Sequence, residues 1–326
     1  MLLCGSNYGR AYLPAFQRSA GRFSVGGLLA RGSSRSMNLA TSLGVPLFHR
    51  AADVPAGAFQ MAVVALPGRE TRVARDLLEK ALPVLLEHPR RVEDLETTYG
   101  AADRAGAPIH VNGHFADLTA PSTFIDELSK RRRTETPWRV EVTCQDRALY
   151  AALDILDAGL PLVGAEGVHP ASRPSAEFRS LELDLSGDDG TPLPCRLDVH
   201  APDGAVDGSA RYGVDVRIAV YAGNGRLTLE SLAGPVVWVA NPQRGARATG
   251  PLWQVFSSPV SLEELNGQRV EANLKALERL ASDVEAKRGG DNAETLDLVG
   301  RHRTLRIATL WGRLGGVLTT AQTSKG

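Results

Sequence analysis

The sequence has few cysteines, no long apolar run and no excess of charge of either sign. Its three cysteines, Cys4, Cys144 and Cys195, are odd in number and share no CxxC spacing, so the sequence predicts neither a disulfide framework nor a structural zinc site. No window approaches the roughly 20 apolar residues that a membrane span needs. We therefore expect a protein of the reducing cytoplasm that does not cross a membrane.

The distribution of charges argues against a nucleic-acid-binding protein. The chain has 37 basic and 37 acidic residues, and its one dense basic run, residues 130–133, lacks the interleaved aromatic side chains of a nucleic-acid platform. We interpret that run as a solvated helix end and expect no nucleic-acid partner. The seven histidines are dispersed along the chain, and we predict no metal site.

The length of 326 residues exceeds what one hydrophobic core usually serves, so we predict two domains, residues 1–118 and 119–326. The first alternates short apolar runs with amphipathic segments, which is typical of a Rossmann-type, doubly wound α/β domain. Because its first strand is shorter than the usual ~5–6 residues, we expect the start to be clipped relative to the natural protein. The predicted strands are Met1–Cys4, Phe23–Ala30, Met61–Leu66, Val84–Leu86 and Ile109–Asn112. The predicted helices are Arg10–Ser19, Ser34–Leu43, Glu70–Ala81 and Val92–Ala105.

The second domain has a different order of predicted helices and strands, and we predict an α+β domain for substrate binding and oligomerisation. Strand-like runs follow one another without helices between them, and turns such as Asn224-Gly225 have hairpin chemistry. We expect an open, largely antiparallel sheet on helices, with its free face as the contact of a homo-oligomer. The predicted strands are Arg139–Thr143, Phe178–Leu185, Cys195–His200, Val214–Tyr221 and Arg226–Leu232. The predicted helices are Thr123–Arg132, Arg147–Ala158, Leu262–Lys287 and Glu294–Ala321.

A glycine-containing loop follows the first strand and opens the first helix, where a dinucleotide-binding loop belongs. Backbone N–H groups at a helix N-terminus bind pyrophosphate, and glycines allow its close approach. The second fingerprint glycine is replaced by Asn7, a residue type that tolerates left-handed backbone. An ordinary glycine turn is the alternative. The candidate cofactor residues of the loop are Gly5, Ser6, Asn7, Tyr8 and Gly9.

The segment after the second strand predicts NADPH rather than NADH. An NAD-selective domain usually has Asp or Glu here for the ribose hydroxyls, and residues 30–36 contain neither. Arginines and hydroxyls suit a 2′-phosphate, because a guanidinium offers charge and a forked set of donors. The alternative is an exposed loop whose arginines only cap the next helix. The candidate residues are Arg31, Ser33, Ser34 and Arg35.

Several blocks of the sequence resemble one known family. The opening, residues 5–16 (GSNYGRAYLPAF), resembles the start of the thiazolinyl imide reductases, a siderophore-pathway branch of the Gfo/Idh/MocA oxidoreductases. The resemblance covers nearly the full length, and its motifs are most specific in the first 160 residues. The further similar blocks, in the same order, are Leu29–Ser36, Leu43–Leu47, Glu87-His88-Pro89, Val111-Asn112, Leu149–Asp154 and Gly234–Trp238.

The resemblance implies a role for His88. The wider superfamily has Glu-Lys-Pro after the fifth strand, with the lysine near the reacting carbon, whereas the imide reductases and this chain have histidine there. An imine gains a proton as hydride arrives, and a histidine that titrates near neutrality can supply it. From the residues alone, a histidine after a strand is more simply structural. The cofactor candidates of these later strands are Leu66, Glu87, His88 and Asn112.

A second acid group is less clear from the sequence. The family has a candidate tyrosine just after the sixth strand, and an ungapped register places Phe115 there, which donates no proton. Either His114, Asp117 or a water replaces it, or Tyr150 does so from the second domain, or the activity is altered. Asp154, one helical turn after Tyr150, either orients a site group or caps an interface network. The catalytic candidates are His88, His114, Tyr150 and Asp117, and the substrate-binding candidates are Phe115, Gln145 and Asp154.

By resemblance, the chain is an NADPH-dependent reductase of a thiazoline C=N bond to a thiazolidine. Its substrate would be a siderophore intermediate tethered to a carrier protein of a nonribosomal peptide synthetase. One alternative is a superfamily dehydrogenase that acts with NADP on a sugar or polyol, which His88 in place of lysine disfavours. The other is a catalytically weak NADP-binding partner of a synthetase assembly, which Phe115 keeps open.

Overall fold

The computed structural model describes residues 1–66, 68, 70–171, 178–187, 190–200, 216–223, 225–241, 252–288 and 298–323. The chain divides into two compact units. The first combines Met1–His114 with Gly267–Leu305, and the second combines Phe115–Asn266 with Arg306–Gly326. The predicted division between residues 118 and 119 stays a prediction.

A six-stranded parallel sheet forms the centre of the first unit, with strand order β3-β2-β1-β4-β5-β6. The strands are short and their core residues are fully buried, which is why they appear in the sequence as apolar runs without alternation. This arrangement confirms the predicted Rossmann-type sheet. Its strands are β1 (Leu2–Cys4), β2 (Gly27–Leu29), β3 (Leu47–Phe48), β4 (Ala62–Val64), β5 (Val84–Glu87) and β6 (Ile109–Asn112). Its first helices are α1 (Leu13–Arg18), α2 (Ser34–Leu43), α3 (Glu70–Leu78) and α4 (Val92–Ala105).

Two predicted elements at the start of this unit are shorter than expected. The helix expected over 10–19 is a 3-10 turn, Tyr8–Tyr12, followed by α1, which has a proline in its first turn. The strand expected over 23–30 pairs only at Gly27–Leu29. Gly44 and Gly106 end α2 and α4 in the left-handed conformation that favours glycine at a helix C-terminus.

The second unit contains an eight-stranded mixed sheet of order β14-β13-β12-β11-β7-β10-β9-β8. Among the described strands of this sheet, β7 and β10 alone pair in parallel, so the prediction of a largely antiparallel sheet is confirmed. Its first two helices are α5 (Thr119–Arg131) and α6 (Leu149–Gly159). Its strands are β7 (Pro137–Gln145), β8 (Leu162–Pro170), β9 (Phe178–Gly187), β10 (Pro192–His200), β11 (Val216–Ala222), β12 (Gly225–Leu229), β13 (Val236–Ala240) and β14 (Trp253–Ser257).

The sequence missed β8, β13 and β14 and placed α5 four residues too late. Parts of other predictions, residues 188–189, 214–215, 224 and 294–297, lie outside the described residues. The chain ends with α7 (Leu262–Arg288) and α8 (Leu298–Thr323). None of the described helices combines the length and hydropathy needed to cross a bilayer.

Helix α7 packs within the first unit, although about 150 residues separate it from β6. Its apolar face, with Leu277 and Leu280, joins the core cluster that contains Tyr12 and Phe16 from the α1 region. Leu85 of β5 belongs to the same cluster. The helix therefore covers the same face of the sheet as α1 and brings its polar residues to the end of β6.

Candidate active site

The loop after β1 lies against the ends of the neighbouring strands. Gly5 has φ +111°, and a Cβ added there would collide with the carbonyl oxygen of Ala65, which follows β4. Its amide donates to the carbonyl of Leu29 at 2.9 Å. Glycine alone fits this backbone, because the loop lies directly against the end of β4. Asn7 and Tyr8 are exposed in the same loop.

A cavity of about 560 Å³ lies at the carboxyl ends of β2 and β4, where a Rossmann sheet binds the adenosine half of its cofactor. Arg31, Arg50 and Arg72 give it a cationic lining, and Asp76 contributes one carboxylate. Arg50 is held by Asp53 through a 2.6 Å contact. The donors give the cavity a lining that suits an anionic ligand. The cavity is also lined by Leu29, Ala30, His49, Ala51, Ala52, Leu66, Gly68 and Val73.

The other residues predicted to bind the 2′-phosphate have local partners. Arg35 donates from Nη1 to Oδ1 of Asn7 at 3.3 Å, so it ties α2 to the glycine loop. The hydroxyl of Ser33 is the N-cap of α2 and accepts from the amide of Ser36. Ser34 is the first residue of that helix. Among the predicted set, Arg31 is the residue that lines the cavity.

A buried hydrogen-bond network joins the ends of β5 and β6. Asn112 donates from Nδ2 to the hydroxyl of Tyr12 at 2.6 Å, and Tyr12 donates in turn to Oε2 of Glu87. Burial and the Glu87 carboxylate raise the pKa of Tyr12 well above its ordinary value. Tyr12, which ends the 3-10 turn before α1, thereby contributes its hydroxyl to this polar network.

His88 is oriented by the same network. Its Nδ1 donates to the main-chain carbonyl of Asn112. Because a carbonyl oxygen can only accept, Nδ1 carries a proton and Nε2 is the atom left for proton exchange. Oε1 of Glu87 lies 3.5 Å from Nδ1, and the His88 side chain is 7% exposed.

His114 lies beside His88 in the first unit, with ring centroids 5.6 Å apart. Burial, followed by the charges of His88 and Arg269, lowers its pKa to about 3. His114 is therefore neutral near pH 7, and a histidine with this pKa is a poor reservoir for a proton to be delivered at that pH.

Glu87, His88 and His114 place potential metal-ligand atoms within 4.8 Å of one another. Nδ1 of His88 is a hydrogen-bond donor here, whereas a ligating nitrogen needs its lone pair. The geometry supports proton transfer better than metal binding.

Helix α7 supplies two residues that the sequence did not indicate, Arg269 and Asn273. Oδ1 of Asn273 accepts from Nδ2 of Asn112 at 3.0 Å, and its own Nδ2 donates to the carbonyl of Ala11 at 3.4 Å. Asn273 is 5% exposed. A buried polar residue on an otherwise apolar helix face is the only sequence signal that could have found it.

The remaining candidates belong to the second unit. Phe115 and Asp117 are half-buried in the short 3-10 turn that begins at His114. Tyr150 is buried on α6 and packs edge-on against Trp311, with centroids 6.2 Å apart. Asp154, one turn further, is also buried. Gln145 ends β7, and its side-chain oxygen accepts from Arg147 at 3.3 Å.

Comparison with solved structures shows the fold. An inositol dehydrogenase homolog from Azotobacter vinelandii, complexed with NADH and myo-inositol, superposes with a TM-score of 0.71 at 15% identity, covering 98% of this chain and 95% of that one. An oxidoreductase from Agrobacterium radiobacter in complex with NAD+, L-tartaric acid and magnesium superposes with a TM-score of 0.66 at 14% sequence identity. The match covers 95% of this chain and 93% of that one. UDP-N-acetylglucosamine 3-dehydrogenase from Acidithiobacillus ferrooxidans superposes with a TM-score of 0.62 at 12% sequence identity, covering 97% of each chain.

No protein of curated function matches the sequence significantly. The profile of one family, the Gfo/Idh/MocA oxidoreductases with an NAD-binding Rossmann fold, matches residues 1–113. The matched residues contain all six strands of the first sheet and end just before His114. Residues 1–113 therefore match the NAD-binding Rossmann fold of that oxidoreductase family.

Proposed function

We propose that the chain is an NADPH-dependent reductase of a cyclic imine, which converts a thiazoline to a thiazolidine. The observation that carries this proposal is the orientation of His88. Its Nδ1 proton is engaged by the carbonyl of Asn112, which directs proton exchange to Nε2. A reductase of C=N bonds needs one proton donor at the reacting nitrogen, and this ring can act as that donor.

The reaction balances with one hydride and one proton. NADPH, held by the glycine loop and the adenosine cavity, would supply the hydride that reduces the imine carbon. His88, in its cationic form, releases the Nε2 proton to the imine nitrogen and becomes neutral. Glu87 and Asn112 hold the ring in one orientation throughout, and solvent returns the proton afterwards.

The choice of NADPH over NADH rests on the lining of the adenosine cavity. Arg31, Arg50 and Arg72 line it, and residues 30–36 contain no carboxylate that would favour unmodified ribose hydroxyls. The carrier-protein partner and the homo-oligomer follow only from the sequence resemblance and the open sheet, and they remain part of the proposal.

A second candidate is an NADP-dependent dehydrogenase of a sugar or polyol. It is favoured by the shared fold with the inositol dehydrogenase homolog and with the UDP-N-acetylglucosamine 3-dehydrogenase. In the oxidative direction, Nε2 of neutral His88 would accept the hydroxyl proton as hydride leaves. In the first candidate Nε2 of His88 donates a proton to an imine, and in the second it accepts a proton from a hydroxyl group. The two candidates therefore predict different substrates.

The test is oxidation of NADPH by the purified protein, followed by its absorbance, with a synthetic 2-aryl thiazoline carboxylate thioester. Thiazoline-dependent oxidation supports the proposal, and thiazolidine formation identifies the product. Reduction of NADP+ by myo-inositol or a nucleotide sugar, without thiazoline turnover, would select the second candidate. Binding of NADPH without turnover of either substrate would point to a catalytically weak partner protein.

A further inference from the structure

The side chain of Asn112 fixes the end of β6. Asn112 is the last residue of this strand, which stands at the edge of the described sheet and pairs with β5 alone. Its Nδ2 donates to the hydroxyl of Tyr12 at 2.6 Å and to Oδ1 of Asn273 at 3.0 Å, so both N–H groups of the amide are engaged. Its main-chain oxygen accepts from Nδ1 of His88. The two side-chain bonds therefore help to place the oxygen that orients the ring.

Asn273 connects this strand end to the chain that follows the glycine loop. Its Oδ1 accepts from Asn112, and its own Nδ2 donates to the carbonyl of Ala11 at 3.4 Å. Tyr12, the other partner of Asn112, is the next residue along the chain. Both side-chain bonds of Asn112 thus lead to one short segment just after the loop. All the residues of this network belong to the first unit.

The position of Asn273 on α7 would also suit an apolar residue. It is buried, and Leu277 and Leu280 of the same helix belong to the core cluster. Replacing bonded polar groups by apolar ones of the same shape can be nearly neutral for stability. Stability alone therefore does not favour asparagine here. What the amide adds is an acceptor for one neighbour and a donor for another, and a fully bonded buried network holds its members in a single arrangement.

We propose that Asn273 is a positioning residue, which acts through Asn112 by holding the carbonyl that orients His88. This inference rests on the proposed role of His88 as a proton donor and deepens it by naming the residue that keeps Nε2 available. Without Asn273, the amide of Asn112 loses one of its two acceptors and the strand end is held less firmly. The ring of His88 can then turn or take up its other tautomer.

The tautomer of His88 is the first measurement. Long-range proton–nitrogen NMR spectra of the protein labelled at its histidine ring nitrogens distinguish a proton on Nδ1 from one on Nε2, and His88→Gln assigns the signal. The spectra are recorded at about pH 9, where histidine is ordinarily neutral. We expect the Nδ1 form in the native protein. Asn273→Leu, which keeps a side chain of similar size but offers no acceptor, should shift part of the population to the Nε2 form. Asn273→Asp keeps an accepting oxygen and should retain the native form.

Asp283→Ala is the matched control. Asp283 contacts Nε2 of His110 at 2.6 Å, so this variant also removes a contact between α7 and β6, but at a position about 15 Å from Asn273 along the helix axis. It should change the signal of His110 and leave that of His88 as in the native protein. The control therefore separates a general loosening of α7 from the loss of the bond to Asn112.

Steady-state kinetics are the second measurement. Asn273→Leu should lower kcat for thiazoline reduction by about 10–100-fold, because a small displacement of a positioned group is costly. Affinity for NADPH should change little, since Gly5 still holds the glycine loop to Leu29 through its 2.9 Å main-chain bond. Asp283→Ala should leave both quantities unchanged.

Three results would overturn the inference: a native ring protonated at Nε2, the same tautomer of His88 in Asn273→Leu as in the native protein, or an equal shift in Asp283→Ala. Equal losses of kcat and NADPH affinity in Asn273→Leu would also overturn it, because Asn273 would then support the glycine loop instead. The expected tautomers in a protein that does not reduce thiazolines would refute the proposed reaction and leave the positioning role standing.

Discussion

Nδ1 of His88 donates to the main-chain oxygen of Asn112, so the strand next to β5 sets the tautomer of the candidate acid. The side chain of Asn112 binds Tyr12, whose hydroxyl binds Glu87. The ring of His88 is therefore fixed by its neighbours in sequence and by the adjacent strand. The imidazole of His88 can therefore be removed by substitution without a change in the glycine loop that binds the cofactor. The first prediction rests on this separation.

His88→Ala should lower kcat for thiazoline reduction by about 10²–10⁴, the usual contribution of a positioned acid. Affinity for NADPH should change little, because the glycine loop and the adenosine cavity are untouched. Steady-state kinetics and fluorescence titration with NADPH measure the two quantities. His302→Ala, at an exposed position of the first unit, is the control and should alter neither. Equal losses of kcat and NADPH affinity would mean that His88 is only part of the cofactor scaffold.

Arg31→Ala should discriminate between the two nicotinamide cofactors. Removal of a guanidinium from the cavity should weaken NADPH binding by about tenfold or more, because a hydrogen bond to a charged group contributes ~1.5–3 kcal/mol. NADH lacks the 2′-phosphate, so its affinity should stay nearly constant. Fluorescence titration of both cofactors provides the measurement.

Arg75→Ala is the matched control for this variant. Arg75 is on α3 and lines an adjoining surface groove with Glu79 and Glu96, but it does not line the adenosine cavity. It should leave both affinities unchanged. A parallel loss of NADPH and NADH binding in Arg31→Ala would contradict recognition of the 2′-phosphate.

The parallel sheet and the residues at its strand ends could be predicted from the sequence, because both depend on short apolar runs and on the residues that directly follow them. Asn112 and His88 each follow or end a buried apolar run, and parallel strands bring such ends to one edge. Strand β3 has only two residues, Leu47–Phe48, too few for a periodic signal. Asn273 and Arg269 could not be assigned, because nothing local in their helix indicates that it packs against β6.

His114 should make the free energy of unfolding depend on pH. Its pKa is about 3 in the native protein against 6.5 for the unfolded chain, with burial as the main cause and the charges of His88 and Arg269 adding to it. Between these values only the unfolded chain binds the proton. Stability therefore rises with pH from about 3 to 6.5, by at most ~1.4 kcal/mol per pH unit from this group.

Urea denaturation followed by far-UV circular dichroism, at several pH values in that window, measures the slope. His114→Gln should make the slope smaller, whatever its effect on stability at pH 7. His302→Gln should keep the native slope, because His302 is exposed. A slope that is identical in His114→Gln and the native protein would show that His114 titrates normally.

Asp157 should be a determinant of stability in the second unit. It is 3% exposed, its Oδ1 accepts from the amide of Leu162 at 2.9 Å, and both carboxylate oxygens lie 3.2 Å from Nη2 of Arg306. Asp157→Ala leaves the buried amide of Leu162 without its acceptor and should cost about 1–3 kcal/mol, because Arg306, whose side chain is 36% exposed, can turn to water. By contrast, Glu230→Ala breaks the 2.9 Å ion pair with Arg217, whose side chains are both about one-third exposed, and should cost less than about 1 kcal/mol.

Tryptophan fluorescence reports this unit selectively, because all four tryptophans, Trp138, Trp238, Trp253 and Trp311, belong to it. The urea midpoint seen by fluorescence should fall strongly in Asp157→Ala and slightly in Glu230→Ala. The urea midpoint of Asp157→Asn should lie between those of the two other variants. The amide oxygen of the new side chain still accepts from the amide of Leu162, but it no longer neutralises Arg306. If Asp157→Ala and Glu230→Ala unfold at the same urea concentration, burial of the Asp157 pair contributes nothing beyond an exposed ion pair.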